Sequence, residues 1–160
     1  MKAVSQRNVP QHAVHGIDRM IRNIETGRFF TPAEEAIATV LCDHLVGQYS
    51  EPRLPVVHFI DARLADGETD GWRYADMPED GQAWRDCLHD LDADAHANYG
   101  GGFVQCEATE QRAIIQAVQD LGSADWHGRS AAHVWSLWTR YACTVLHAHP
   151  SAWTEIGWAG

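Results

Sequence analysis

The 160 residues contain ten histidines and twenty-two carboxylates, so metal chemistry is the first reading to consider. His89, Asp92 and His96 recur at i, i+3 and i+7, which places them on one face of a helix. Two imidazoles and a carboxylate so arranged could hold a divalent metal. That face adjoins the apolar one and is flanked by Asp86, Asp90 and Asp94, and a solvated acidic face explains the same residues. Neither H-E-x-x-H nor a pair of E-x-x-H helices occurs. Cys42, Cys87, Cys106 and Cys143 are scattered without a C-x-x-C pair and read as buried, reduced, small apolar side chains. As nucleophiles they would each need a nearby histidine. Gly100-Gly101-Gly102 follows a helix rather than a strand and lacks the G-x-G-x-x-G spacing of a nucleotide loop. No G-x-S-x-G is present, and Ser130 and Ser136 have no visible base. The expectation is a chain that is not catalytic alone, with no metal site and no bound cofactor of its own.

The elements that would position these residues are helical. Met1 to Val14 is polar, contains Pro10, and reads as a flexible or partner-wrapping arm; residues 15–160 read as one helical domain. Ile17, Met20, Ile21 and Ile24 predict a short amphipathic helix over His15 to Thr26, closed by Gly27. Phe29-Phe30 then precedes Thr31 as N-cap, Pro32 at the first helical position and Glu34 three residues after the cap, a capping-box pattern. This helix carries Ile37, Val40, Leu41, His44 and Leu45 to about Gly47. Pro55 opens a helix through Ala65, with a strand over Pro55 to Ile60 as the competing reading, because β-branched residues cluster there. Asp66 to Met77 is a turn-rich loop. Pro78-Glu79-Asp80 opens a helix whose buried face is Trp84, Leu88, Leu91 and Ala95 and which stops at Tyr99-Gly100. Thr109 or a neighbour caps a helix ending near Gly122, and Ser123 to Arg129 is a loop. Ser130 caps a last helix, apolar over more than one stripe, that is either central to the bundle or shared between core and partner. The fold class is therefore all-α: a single-domain bundle of five to six helices, without a convincing strand, carrying an extended, Trp-rich C-terminal tail.

Bulk properties limit the partners. A length of 160 residues suits one domain, and the chain carries a net charge of -10 with a pI near 5.3. Nucleic acid and anionic membrane surfaces both reward Lys/Arg clusters, so neither is expected as a partner. No apolar run approaches the ~20 residues of a membrane span. No secretory signal and no twin-arginine pair is recognisable near Met1. The expected location is cytoplasmic as encoded, and periplasmic only if the chain is carried by a partner or has lost an export signal. Seven tryptophans are many for this length, and tryptophan is enriched at interface hot spots. Two of them lie in His147 to Gly160, where two histidines and Glu155 are the only other conspicuous groups. Pro150 releases the chain from the last helix, and the segment beyond it has the composition of one that docks. The expected interface is Trp135, Trp138, His147, His149, Pro150, Trp153, Glu155, Ile156, Gly157 and Trp158. The rival reading folds the tail back on its own bundle.

Several ordered pieces resemble the gluconate 2-dehydrogenase subunit 3 family. They are Phe29-Phe30-Thr31-Pro32-x-Glu34, Val57-His58-Phe59-Ile60-Asp61, Leu88-x-x-Leu91-Asp92 leading to Tyr99-Gly100-x-x-Phe103, and Glu110-Gln111 before an apolar helix. The most specific is His149-Pro150-x-x-Trp153-x-Glu155-Ile156-Gly157-Trp158-x-Gly160. The resemblance implies a small helical subunit of an oxidoreductase complex. Its large partner would be of the glucose–methanol–choline oxidoreductase type, would carry FAD, and would pass electrons from a sugar or sugar acid to a cytochrome c or other acceptor. The chain departs from the family in lacking the twin-arginine signal common there and in ending at Gly160, short of a proline- and aromatic-rich extension. Two other classes stay open from the residues alone: a homo-oligomeric structural protein whose tryptophan surface pairs with itself, and a metalloprotein built on His89, Asp92 and His96.

Overall fold

Thr31 and Pro32 start the first helix as their chemistry requires. Thr31 is extended (φ -67°, ψ 161°) and its Oγ1 accepts from the Glu34 N–H at 3.2 Å, while Pro32 occupies a position where no N–H is needed. The reciprocal half of the expected capping box is diverted, because the Glu34 carboxylate pairs with Arg85 at 3.1 Å. This computed structural model describes residues 28–148. The helix expected over His15 to Thr26, the arm before it and the tail from His149 onward lie outside the described residues.

Within 28–148 there are five α-helices: α1 (Pro32–Val46), α2 (Val56–Ala65), α3 (Asp80–Tyr99), α4 (Ala108–Asp120) and α5 (Ala131–Ala148). Phe103–Gln105 forms one 3-10 turn. α1 stops at Gly47, whose φ of 72° is left-handed and open to glycine at no steric cost. α2 settles the helix-or-strand question at Pro55 in favour of helix. α4 is capped by Glu107, the neighbour of the expected position, in a complete capping box with Glu110. The expectation of no strand is corrected. Asp125–Trp126 (β1) pairs antiparallel with Arg129–Ser130 (β2) inside the predicted loop, around a turn with His127 at φ 51°. Two residues a side are too few to show an alternating pattern in sequence. No described helix is long and apolar enough to cross a membrane.

One core joins the helices, with α5 packed against α1, α2 and α4. Trp84, Trp138, Tyr141 and Phe103 are its largest wholly buried side chains. All four residues expected on the buried face of α3 (Trp84, Leu88, Leu91 and Ala95) are fully inaccessible. Phe30 meets Trp84 edge-on at 6.2 Å, and Trp84 meets Tyr141 edge-on at 5.8 Å, the geometry that ring quadrupoles prefer. The tyrosine hydroxyl donates to buried Asp80 at 2.7 Å. Burial, then the hydrogen bond and charge of Asp80, push the Tyr141 phenol well above its ordinary range.

The approach to α1 is fixed by a single carboxylate. Asp61, buried on α2, accepts the backbone N–H groups of Arg28 (2.8 Å), Phe29 (3.1 Å) and Phe30 (2.8 Å). Removing an acceptor that serves several buried or half-buried donors leaves each of them desolvated. Asp61→Ala is expected to lower stability by about 2–4 kcal/mol and Tm by roughly 5–15 °C. Urea and thermal unfolding of the purified chain check this, and a loss below about 1 kcal/mol would show that the three donors find other acceptors.

Candidate partner interface

The expected interface begins on α5, and the structure divides its residues. Trp138 stands three or four residues from buried Val134, Tyr141 and Ala142, so it faces inward and is wholly enclosed. Its ring lies edge-on to Trp126 at 5.7 Å and to Trp135 at 6.3 Å. Trp138 therefore serves the chain's own core. Trp135 is half-buried and offers one edge to the surface, and His147 is exposed near the helix end. His149, Pro150, Trp153, Glu155, Ile156, Gly157 and Trp158 lie outside the described residues.

An aromatic surface that the sequence reading did not single out lies against the same helix. The loop between α2 and α3 carries Trp72, which is 48% exposed and edge-on to Tyr74 at 5.2 Å. Tyr74 stacks flat on His133 of α5 at 3.7 Å, and Arg140 sits over the Trp72 ring at 4.5 Å. Two carboxylates clasp this loop to α5. Asp70 bonds both Arg140 of α5 and Arg63 of α2, the latter at 2.7 Å. Asp76 accepts from the Ser130 N–H at 3.0 Å and pairs with His133 at 2.5 Å. The available signal was two aromatics among glycines and acids in a loop. Their partners lie more than fifty residues downstream, beyond the reach of local pattern.

The metal reading fares differently from either alternative considered for it. Asp92 accepts the Phe103 N–H at 2.9 Å and stands 3.5 Å from His96, while His89 and His96 are exposed. Among the described residues no group of three or more His, Cys, Asp or Glu side chains is disposed to hold a metal ion. The flanking acids are not simply solvated. Asp86 and Asp90 bind Arg129 at 3.2 and 2.8 Å, and Asp94 takes the Trp126 indole N–H at 2.8 Å and His127 at 2.7 Å. Spaced one helical turn apart, the three carboxylates fasten the β1–β2 ribbon to α3. The expectation of four buried thiols is also corrected. Cys42 and Cys87 are buried, and burial pushes each thiol up to about 12, but Cys106 is half-buried and Cys143 is exposed on the outward side of α5.

The family model for gluconate 2-dehydrogenase subunit 3 matches residues 32–160. The chain belongs to that family. No curated protein and no solved structure matches it. Membership makes it a subunit of a multi-subunit dehydrogenase complex. Within the described residues, the motif pieces that suggested this subunit 3 membership prove to be internal fastenings. Asp61 of the V-x-F-I-D piece holds the Phe29-Phe30 piece, and Asp92 of the L-x-x-L-D piece holds Phe103 of the G-x-x-F piece. A Cβ at Gly102 would stand 3.1 Å from that Asp92 oxygen and 2.2 Å from the Gln105 side-chain oxygen Oε1, so a side chain there would displace Gln105 and crowd the Asp92 contact. Glu110 closes the α4 cap, and buried Gln111 donates to the Cys106 and Phe103 carbonyls at 2.9 and 3.2 Å and meets His44 at 3.0 Å.

The clasp at Asp70 has a definite acid dependence. Burial works against its charge, yet hydrogen bonds from Arg63 and Arg140 outweigh that and hold its pKa below the usual carboxylate range. A carboxylate with a depressed folded-state pKa stabilises the fold above the unfolded value of ~3.9, and that stability disappears as pH falls through the folded-state value. Asp70→Asn is therefore expected to be less stable than the parent by about 1–2 kcal/mol at pH 7, allowing for partial exposure. Urea unfolding at several pH values should show the gap closing as pH falls below about 4.

Proposed function

We propose that this chain is the non-catalytic small subunit that binds and stabilises, or matures, a large FAD-dependent oxidoreductase subunit. That partner would be of the glucose–methanol–choline type and would oxidise a sugar, glycoside or sugar acid. FAD and the oxidation chemistry would reside in the large subunit, which would hand electrons to a cytochrome c or another acceptor. The observation that carries the reading is the family match, which runs through the Trp-rich tail to residue 160.

The structure supports a binding role for that tail by what the body does with its own signature residues. Asp61, Asp92, Glu110 and Gln111 are all engaged in internal hydrogen bonds. Trp138 is enclosed, and α5, packed against α1, α2 and α4, is the element from which the chain leads to the tail. An apolar segment that follows a well-packed scaffold in the chain is suited to anchor a partner, because little scaffold order is lost on binding. Trp153, Glu155 and Trp158 are the proposed anchors, and the half-buried Trp135 with the exposed Trp72 would extend the contact along α5. Glu155 among apolar neighbours requires a donor from the partner, and its loss would leave that donor unpaired.

Truncating a tryptophan at the centre of an interface costs ~2 kcal/mol or more. Trp153→Ala should then weaken assembly by at least roughly thirtyfold. The experiment is co-expression with a candidate large subunit of the glucose–methanol–choline type, affinity purification through the small subunit, and measurement of bound flavin and sugar-oxidising activity. Trp153→Ala is expected to abolish co-purification while leaving the Tm of the isolated small subunit nearly unchanged. A Trp153→Ala, Trp158→Ala double variant that co-purifies normally with full activity would overturn the proposal. A Tm loss in the isolated chain without an assembly defect would assign the tail to its own bundle.

A further inference from the structure

α2 and α5 do not close on one another along their whole length. A groove of about 420 Å³ runs between them, lined on α2 by Phe59, Ile60, Ala62 and Arg63 and on α5 by Tyr141, Thr144 and Val145, with Asp66 and Glu68 on its rim. We propose that residues 15–27 of this same chain fill the groove, laying Ile17, Met20, Ile21 and Ile24 against α2 and α5 as a further helix of the bundle. The inference does not depend on the proposed large subunit.

Four observations point to this occupant. The first is where the chain enters the described fold. Arg28 is fastened to the groove's own wall, its N–H on Asp61 at 2.8 Å and its guanidinium on Asp66 at 2.9 Å and on the Ala62 carbonyl at 3.4 Å. Whatever precedes Arg28 thus starts at the groove's edge. The second is length. Ile17 to Ile24 spans two helical turns, about 10 Å of rise, and the α2 wall from Phe59 to Asp66 spans the same. The third is charge. Residues 1–28 hold five basic and two acidic side chains, whereas residues 29–160 hold seven and twenty. Arg19 and Arg22 stand off the apolar stripe and would turn to solvent, so the attraction between this basic segment and the acidic body acts through the general field and not through pairing at the rim. The fourth is an unmet donor. Arg63 Nη1 is buried on the groove wall with no hydrogen-bond acceptor among the described residues, and a helical end brings free main-chain carbonyls.

Disulfide trapping in the full chain tests this. Thr144 lines the groove and is exposed. In a Cys143→Ser background, Thr144→Cys is combined in turn with Ile17→Cys, Arg19→Cys, Ile21→Cys, Arg22→Cys and Ile24→Cys, oxidised, and resolved on non-reducing gels. A bond forms only when the two Cβ atoms come within about 4.5 Å. The expected result is an intrachain bond at one or more of the isoleucine positions and none at Arg19 or Arg22. Bonds that form only between chains would place a second copy in the groove and overturn the proposal. So would a Trp153→Cys partner that traps in preference, which would assign the groove to the tail, or a bond blocked in the co-purified complex, which would assign it to the large subunit. As a second readout, Ile21→Asp should lower Tm by about 5–10 °C; an unchanged Tm would equally overturn it.

Discussion

Three consecutive backbone N–H groups converge on one buried carboxylate, and the path of the chain follows from that convergence. Asp61 fixes Arg28, Phe29 and Phe30 against α2, thirty-odd residues downstream. The fixed turn sets Phe30 on Trp84 and lets Thr31 cap α1. Arg85 of α3 then reaches the Phe29 carbonyl at 2.7 Å and the Glu34 carboxylate, so α1, α2 and α3 are registered through one turn. A carboxylate can accept more than one N–H at each oxygen, and hydrogen bonds to a charged acceptor are the stronger kind. An amide or hydroxyl at this position could not serve all three donors equally.

The same device recurs through the fold. Asp92 takes the N–H that opens the Phe103 turn, Asp76 takes the N–H that precedes α5, and Asp86, Asp90 and Asp94 hold the ribbon. Twenty acidic residues in 29–160 suggest a self-repelling surface, yet many of them are acceptors for particular backbone or cationic donors. A strongly acidic composition here is thus partly a structural material, and the body can carry its charge without a matching number of lysines.

Local sequence made the helices legible and left their connections obscure. The starts at Thr31-Pro32 and Pro55, the stop at Gly47 and the inward face Trp84, Leu88, Leu91 and Ala95 all rest on caps and period, which act within a few residues. Arg140 as a partner of Asp70, and the partners of Asp76 and Asp94, could not be read this way, because they lie 32 to 70 residues away in sequence and depend on how the helices cross. Trp135 and Trp138 show the same limit within one helix. Both are tryptophans on an apolar segment, and only the packing of α5 between its neighbours decides that Trp138 is enclosed while Trp135 keeps an edge outside. The tail carries the most specific signature in the sequence, and since it lies outside the described residues its docking rests on that signature and its composition as an expectation.

The position of α5 has a consequence for how such a chain comes into being. It contributes Trp138 and Tyr141 to the centre of the core, and the bonds that lock it, Tyr141 to Asp80 and Arg140 to Asp70, join residues 61 and 70 positions apart. Synthesis proceeds from the N-terminus, so α1 to α4 leave the ribosome before the helix that covers them. Until α5 emerges, Trp84, Ile60 and Leu41 have no complete enclosure, and the nascent chain carries its most apolar face uncovered. Among the described residues, the centre of the molecule is the last part of the core to be made.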